Sequence, residues 1–130
     1  IITAVAGNSA GTRKHATAYV TEAFDGAVCT NGFRVLRNFR ISPFYLLYYF
    51  QSGLFLKQVF MYRTGAAIPA VSDEDFSRIL IYLPSETEIR KISAAVEKSF
   101  LLRERAKNEI EKINAEIKFL PLQSAEMPTL

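Results

Sequence analysis

Between Pro84 and Pro121 the chain contains neither proline nor glycine, and its apolar residues recur at Ile89, Ile92, Val96, Ala106, Ile110, Ile113, Ile117 and Leu120. Steps of three and four place these side chains on one helical face, so the spacing predicts a single helix over 85–120, about 35 residues and roughly 50 Å long. The same register passes through Ser99 and Arg103, while Phe100, Leu101 and Leu102 offer apolar surface beside it. Glu109 with Lys112, and Lys107 with Glu111, sit at helical spacings that suit a solvated opposite face. A stripe this long exceeds what one small domain can cover, so the helix is expected to pair. Its partner is either an antiparallel second copy or an equivalent helix elsewhere in the parent chain. Pro121 ends the helix, and 121–130 reads as a flexible tail.

The stretch before the helix, RTGAAIPAVSDEDFSRILIYLPSETEIRKI over 63–92, reads as four parts. A turn at Thr64-Gly65 leads to Ala66-Ala67-Ile68-Pro69, where proline lacks a backbone donor and so edges or ends a strand. Ser72 is the expected cap of a short helix whose first turn holds Asp73, Glu74 and Asp75 beside free N–H groups. Ile79 to Leu83 is an apolar, β-prone run of strand length stopped by Pro84, and Ser85 opens the long helix.

In this order of parts the chain resembles the DNA target recognition domains of type I restriction-modification specificity subunits, which also occur fused behind adenine-specific DNA methyltransferases. The matching residues are Gly65, Ile68, Pro69, Ser72, Asp75, Ile79, Ile81, Leu83, Pro84, Glu88 and Ile92. The family's Leu-Pro-Pro-Leu-x-Glu-Gln reads here Leu83-Pro84-Ser85-Glu86-Thr87-Glu88-Ile89. The resemblance implies an α/β (α+β) recognition domain over 1–84, with a mixed sheet and short helices, followed by a coiled-coil-like spacer helix over 85–120. It also implies sequence-specific binding of double-stranded DNA, with DNA methyltransferase (modification) subunits and a restriction subunit as partners. Catalysis is then expected in those subunits or in an upstream domain, and no cofactor is expected for binding.

Charge divides along the chain. Residues 1–70 hold seven bases and two acids, a net of +5, whereas 71–130 hold nine bases and eleven acids, a net of −2. The positive potential that attracts nucleic acid therefore belongs to the first half. One cysteine, Cys29, and one histidine, His15, leave no disulfide framework and no zinc site made by this chain alone. These counts fit a cytoplasmic protein. The apolar run from Phe44 to Tyr62 is broken by Gln51, Ser52, Gly53, Lys57 and Gln58 before about 18 clean residues accumulate, so no membrane span is expected. The 130-residue chain opens on Ile1-Ile2-Thr3-Ala4-Val5-Ala6, which reads as a strand, and is taken as a piece of a longer polypeptide.

Gly7-Asn8-Ser9-Ala10-Gly11 follows, and fits the G-x-S-x-G pattern of a hydrolase nucleophile elbow. That elbow needs a helix after the serine and a distant histidine, whereas here β-prone residues follow and His15 is close by. The preferred reading is a glycine-rich turn whose backbone N–H groups, with Arg13, Lys14 and His15, either approach a phosphate or form a solvated hairpin tip. Further strands are expected over 16–21 and 27–36, the latter with Phe33 and Val35 on one face. Asn31, before Gly32, is either an adenine reader or a simple turn residue. Arg34 and Arg63, with Thr64 and Gly65, complete the candidate DNA contacts. Ser42 and Pro43 start an aromatic helix read as core packing rather than a base-stacking platform, and Gly53 separates it from a second helix over 54–62 carrying Lys57. Three other readings stand beside the first: the recognition domain of a fused methyltransferase-endonuclease, a helical dimerisation or adaptor protein that never touches DNA, and an enzyme acting through Ser9.

Overall fold

The computed structural model describes residues 1–117, so the expected helix end at Leu120 and the tail over 121–130 lie outside the described residues. The chain divides into two compact units, Ile1–Val96 and a second beginning at Glu97.

The first unit is α+β. Its sheet has three short strands, β1 (Ile2–Ala4), β2 (Thr17–Ala18) and β3 (Phe33–Val35), in the order β2-β1-β3. Ile2 pairs with Ala18 on one side and Val35 on the other, both antiparallel. The expected mixed sheet is therefore an antiparallel one. The reason lies in the connections, which are loops and a 3-10 turn over Glu22–Phe24, with no helical crossover to turn the chain parallel. The strands expected over 16–21 and 27–36 shorten to these few residues, because residues 22–31 lie exposed with no further strand to pair with. Val35 is 48% exposed, so it shares no buried face with Phe33.

Two aromatic helices supply most of the core. Pro43 fixes the start of α1 (Pro43–Tyr49), which buries Tyr45, Leu46, Leu47 and Tyr49; Ser42 stands at the cap position without a side-chain cap bond. Ser52 does cap α2 (Gly53–Tyr62), accepting from the Phe55 amide at 3.3 Å. Phe55 is fully buried, stacked on Phe50 with centroids 4.3 Å apart and edge-on to Tyr49 at 6.3 Å. Rings in these geometries contribute about 0.5–1.5 kcal/mol beyond the area they bury. This is the core role expected of the aromatics.

Ala70 pairs with both Ala6 and Thr64, closing the turn that holds Gly65, and the Val71 amide donates to the Val5 carbonyl at 2.8 Å. The chain is thereby delivered to α3 (Asp73–Ser77), whose Ser72 cap accepts from the Asp75 amide at 3.1 Å and whose first turn is acidic, as the sequence indicates.

Ile79 to Leu83 is not a strand. Side chains from α1 and α2 take the place of a neighbouring strand. Tyr49 donates its hydroxyl to the Leu80 carbonyl (3.0 Å), and Tyr45 donates to that of Tyr82 (2.5 Å). Gln58 donates to Leu80 O at 2.9 Å and accepts from Leu80 N at 2.8 Å. These bonds meet the backbone from one side, and Leu80, Tyr82 and Leu83 stay exposed.

Ser85 and Glu88 form a reciprocal cap at the start of α4 (Glu86–Ile117): Glu88 N donates to Ser85 Oγ, and Ser85 N and Oγ both donate to the Glu88 carboxylate. Those bonds from Ser85 hold the Glu88 carboxyl below its ordinary pKa. Ile89, Ile92 and Val96, expected to face a partner helix, lie half-buried against the core of their own unit. The compact unit thus extends to Val96, past the boundary expected at 84.

Tyr49→Phe keeps the ring and removes the hydroxyl that holds Leu80. It is expected to lower the unfolding free energy by about 0.5–1.5 kcal/mol and to speed cleavage within 79–83, read by urea denaturation and a protease time course.

Candidate nucleic-acid interface

The turn from Gly7 to His15 is held from three sides. Gly7 N donates to Pro69 O at 2.8 Å, and Arg63 donates from the end of α2 to the carbonyls of Asn8 (3.2 Å) and Ala10 (2.9 Å). The third hold is His15, whose Nδ1 accepts from Gly11 N at 3.0 Å while Nε2 meets Thr3 Oγ1 at 2.8 Å. Gly11 has φ +73°, and a Cβ there would stand 2.5 Å from the Phe60 amide nitrogen, so the turn lies directly on the α2 backbone. A side chain at this position is excluded on both conformational and steric grounds.

Within the turn several amides are engaged. Ala10 N donates to Gly7 O, Thr12 N to Ser9 O, Lys14 N to Thr12 Oγ1 and His15 N to Thr12 O. These amides of the expected phosphate cradle are therefore taken up within the fold. What the tip presents is two exposed cations, Arg13 and Lys14. His15 is turned inward, its ring edge-on to Phe55 at 5.6 Å, and burial pushes its pKa below the ordinary value, which favours a neutral ring. Ser9 has no bond to that ring, since both nitrogens go elsewhere, so the G-x-S-x-G spacing does not assemble a serine–histidine pair.

The other candidates separate in the same way. Arg34 is ion-paired with Asp73 and donates to Asn31 O at 3.4 Å, linking β3 to the start of α3. Arg63, besides its two carbonyl bonds, lies over the Phe60 ring at 4.1 Å. Asn31, Thr64 and Gly65 are exposed, with Thr64 fixed through its backbone to Ala70. Three cations outside the expected set, Arg37, Arg40 and Lys57, are exposed and, among the described residues, make no ion pair. Lys57 and Arg13 line one shallow groove of about 590 Å³ with Gly11, Leu56, Phe60 and Met61. The signal for Lys57 was present in its position on the outer side of α2. Among the described residues no cluster of three or more His, Cys, Asp or Glu is placed to hold a metal, and no helix is long and apolar enough to cross a membrane.

Comparison with protein-family models, with curated proteins and with solved structures gives no match.

Gly7 also has a positive φ, +95°, but open space where a Cβ would go. Gly7→Ala is accordingly expected to cost about 1–2 kcal/mol for the left-handed backbone alone, and Gly11→Ala about 1–3 kcal/mol more for overpacking against Phe60. Parallel urea titrations measure the difference.

Proposed function

We propose that the chain is a DNA sequence-recognition module that acts as, or within, the specificity component of a type I restriction-modification system. It binds double-stranded DNA and brings methyltransferase and restriction subunits to their target, in the cytoplasm, without chemistry of its own. The ordered resemblance over 63–92 motivates the assignment. The observation that carries it is the sorting of charge in the first unit: Arg34 and Arg63 are engaged in internal contacts, whereas Arg13, Lys14, Arg37, Arg40 and Lys57 stand exposed without an ion pair among the described residues. Cations left unpaired at a surface are what phosphate binding requires, because each neutralised phosphate releases condensed counterions. Asn31, exposed beside β3, is the candidate base reader.

The helix fits this role as a pairing element. Ile110, Ile113 and Ile117 are 59%, 52% and 45% exposed, with Leu101 and Leu102 above 50%. Ala106 is exposed in the same stretch. Covering the half of each isoleucine still in water contributes roughly 1–1.5 kcal/mol, which favours a homodimer through this stretch or pairing with an equivalent helix in the parent chain.

Duplex binding should weaken steeply with salt. Arg13→Ala with Lys14→Ala should lower the slope of log K against log salt by about 0.9 for each phosphate that is no longer neutralised, similarly for all sequences. Arg63→Ala, which frees the Asn8 and Ala10 carbonyls, should instead move the unfolding midpoint, whereas Arg34→Ala loses only an exposed ion pair of about 0–1 kcal/mol and should shift it little. An unchanged slope in the Arg13/Lys14 double variant removes this turn from the interface. For the helix, Ile110→Asp with Ile117→Asp is expected to convert a dimer to monomer in sedimentation at micromolar concentration while the Ile1–Val96 unit keeps its unfolding midpoint. A wild-type chain that is already monomeric there overturns the pairing.

A further inference from the structure

We propose that His15 is a proton-operated latch: its neutral ring holds the turn bearing Arg13 and Lys14 against β1, and protonation of Nδ1 releases the turn. The latch itself stands on the geometry of the ring; its effect on DNA rests on the function proposed above.

The bonding fixes the tautomer. Gly11 N–H can only donate, and it points at Nδ1 from 3.0 Å, so Nδ1 must carry a lone pair and the ring proton sits on Nε2. Nε2–H then donates to Thr3 Oγ1 at 2.8 Å, and the Thr3 and Thr17 hydroxyls share a hydrogen bond of 3.0 Å. One chain of hydrogen bonds therefore runs from the Gly11 amide through the ring to both β1 and β2. Thr3 is fully buried, so this is the arrangement that satisfies its hydroxyl inside the fold.

A proton added to Nδ1 sets two donors, Nδ1–H and Gly11 N–H, against each other. Gly11 also lies directly on α2, where a Cβ would stand 2.5 Å from the Phe60 amide nitrogen, so the turn has no room to shift toward that helix. Among the described residues, none of the groups bonded to or packed on the ring offsets the new charge. β1 and β2 present the hydroxyls of Thr3 and Thr17, α2 presents the Phe55 ring, and among the described residues no carboxylate bonds to the imidazole. The charged groups of the turn itself are all cationic: Arg13 and Lys14 on it, and Arg63 reaching the Asn8 and Ala10 carbonyls from the end of α2. Burial acts in the same direction, lowering the ring's pKa from its ordinary value. The sign follows: a base whose folded pKa is depressed gives its full stabilisation above about pH 6.5 and loses it as pH falls through the lowered folded value.

The test is an NMR titration of the full chain between about pH 8 and pH 5, following the His15 ring protons and the Gly11 amide protection factor. The expected result is that Gly11 loses protection with the midpoint at which the ring titrates, below the ordinary histidine value, while amides in α1 and α2 stay protected. His15→Gln carries no titrating ring and should abolish the step. Persistence of the step in His15→Gln overturns the latch, as does a ring that titrates with Gly11 still protected, or global unfolding before the ring titrates. A second arm measures affinity for a fluorescent duplex at fixed salt across the same range. Wild type is expected to lose affinity several-fold more than His15→Gln on acidification. Equal losses alongside a Gly11 step leave the latch standing and count against the turn as a DNA-binding element. Duplex binding without a Gly11 step overturns the latch alone.

Discussion

Backbone amides and carbonyls that lie outside regular structure still need partners, and in this unit a three-stranded sheet of two- and three-residue strands supplies few of them. The fold depends on side chains that substitute for absent strands. Arg63 holds the carbonyls of Asn8 and Ala10, His15 holds the Gly11 amide, and Tyr45, Tyr49 and Gln58 hold the 79–83 segment. Most of these residues come from α1, α2 or the residue just after α2. The aromatic pair of helices therefore does two things at once: its inner face packs Phe50 and Phe55 into the core, and its polar tips fasten the loops around it.

That dual role explains which parts of the fold were legible in the sequence. The Ser72 cap, the acidic first turn of α3, the Ser85–Glu88 cap and the Pro43 helix start are decided within four residues, and local chemistry is what a sequence displays directly. The aromatic core could be read from the crowding of rings around α1. Strand lengths could not, because a β-prone run becomes a strand only if another strand lies beside it. Ile79 to Leu83 has the composition of a strand and meets hydroxyls and an amide side chain instead.

The candidate site divides along the same line. Arg13 and Lys14 are exposed because a tight turn pushes its tip residues outward, which the glycines announce. His15, Arg34 and Arg63 were grouped with them by charge, yet their partners lie 12, 39 and more than 50 residues away, at Thr3, Asp73 and the Asn8 and Ala10 carbonyls. No local pattern distinguishes a cation bound for solvent from one bound for a distant carbonyl. Exposed ion pairs such as Arg34–Asp73 contribute little stability, on the order of 0–1 kcal/mol. The effect of that pair is to position β3 relative to α3 and to withdraw one cation from the surface.

The long helix poses the complementary problem. A stripe repeating in steps of three and four says that a face must be covered and is silent about what covers it. Ile89, Ile92 and Val96 are covered by the core of their own unit, whereas Ile110, Ile113 and Ile117 keep about half of their surface in water. Between them the register passes through Ser99 and Arg103, both exposed. This polar interruption falls just after Val96, where the first unit ends, so the break in the seam coincides with the end of the covering its own core provides. A helix needed only to complete the first core would have no reason to resume its apolar stripe beyond that break. Ile110, Ile113 and Ile117 resume it on one exposed face, so the pairing proposed for α4 falls on this second stretch.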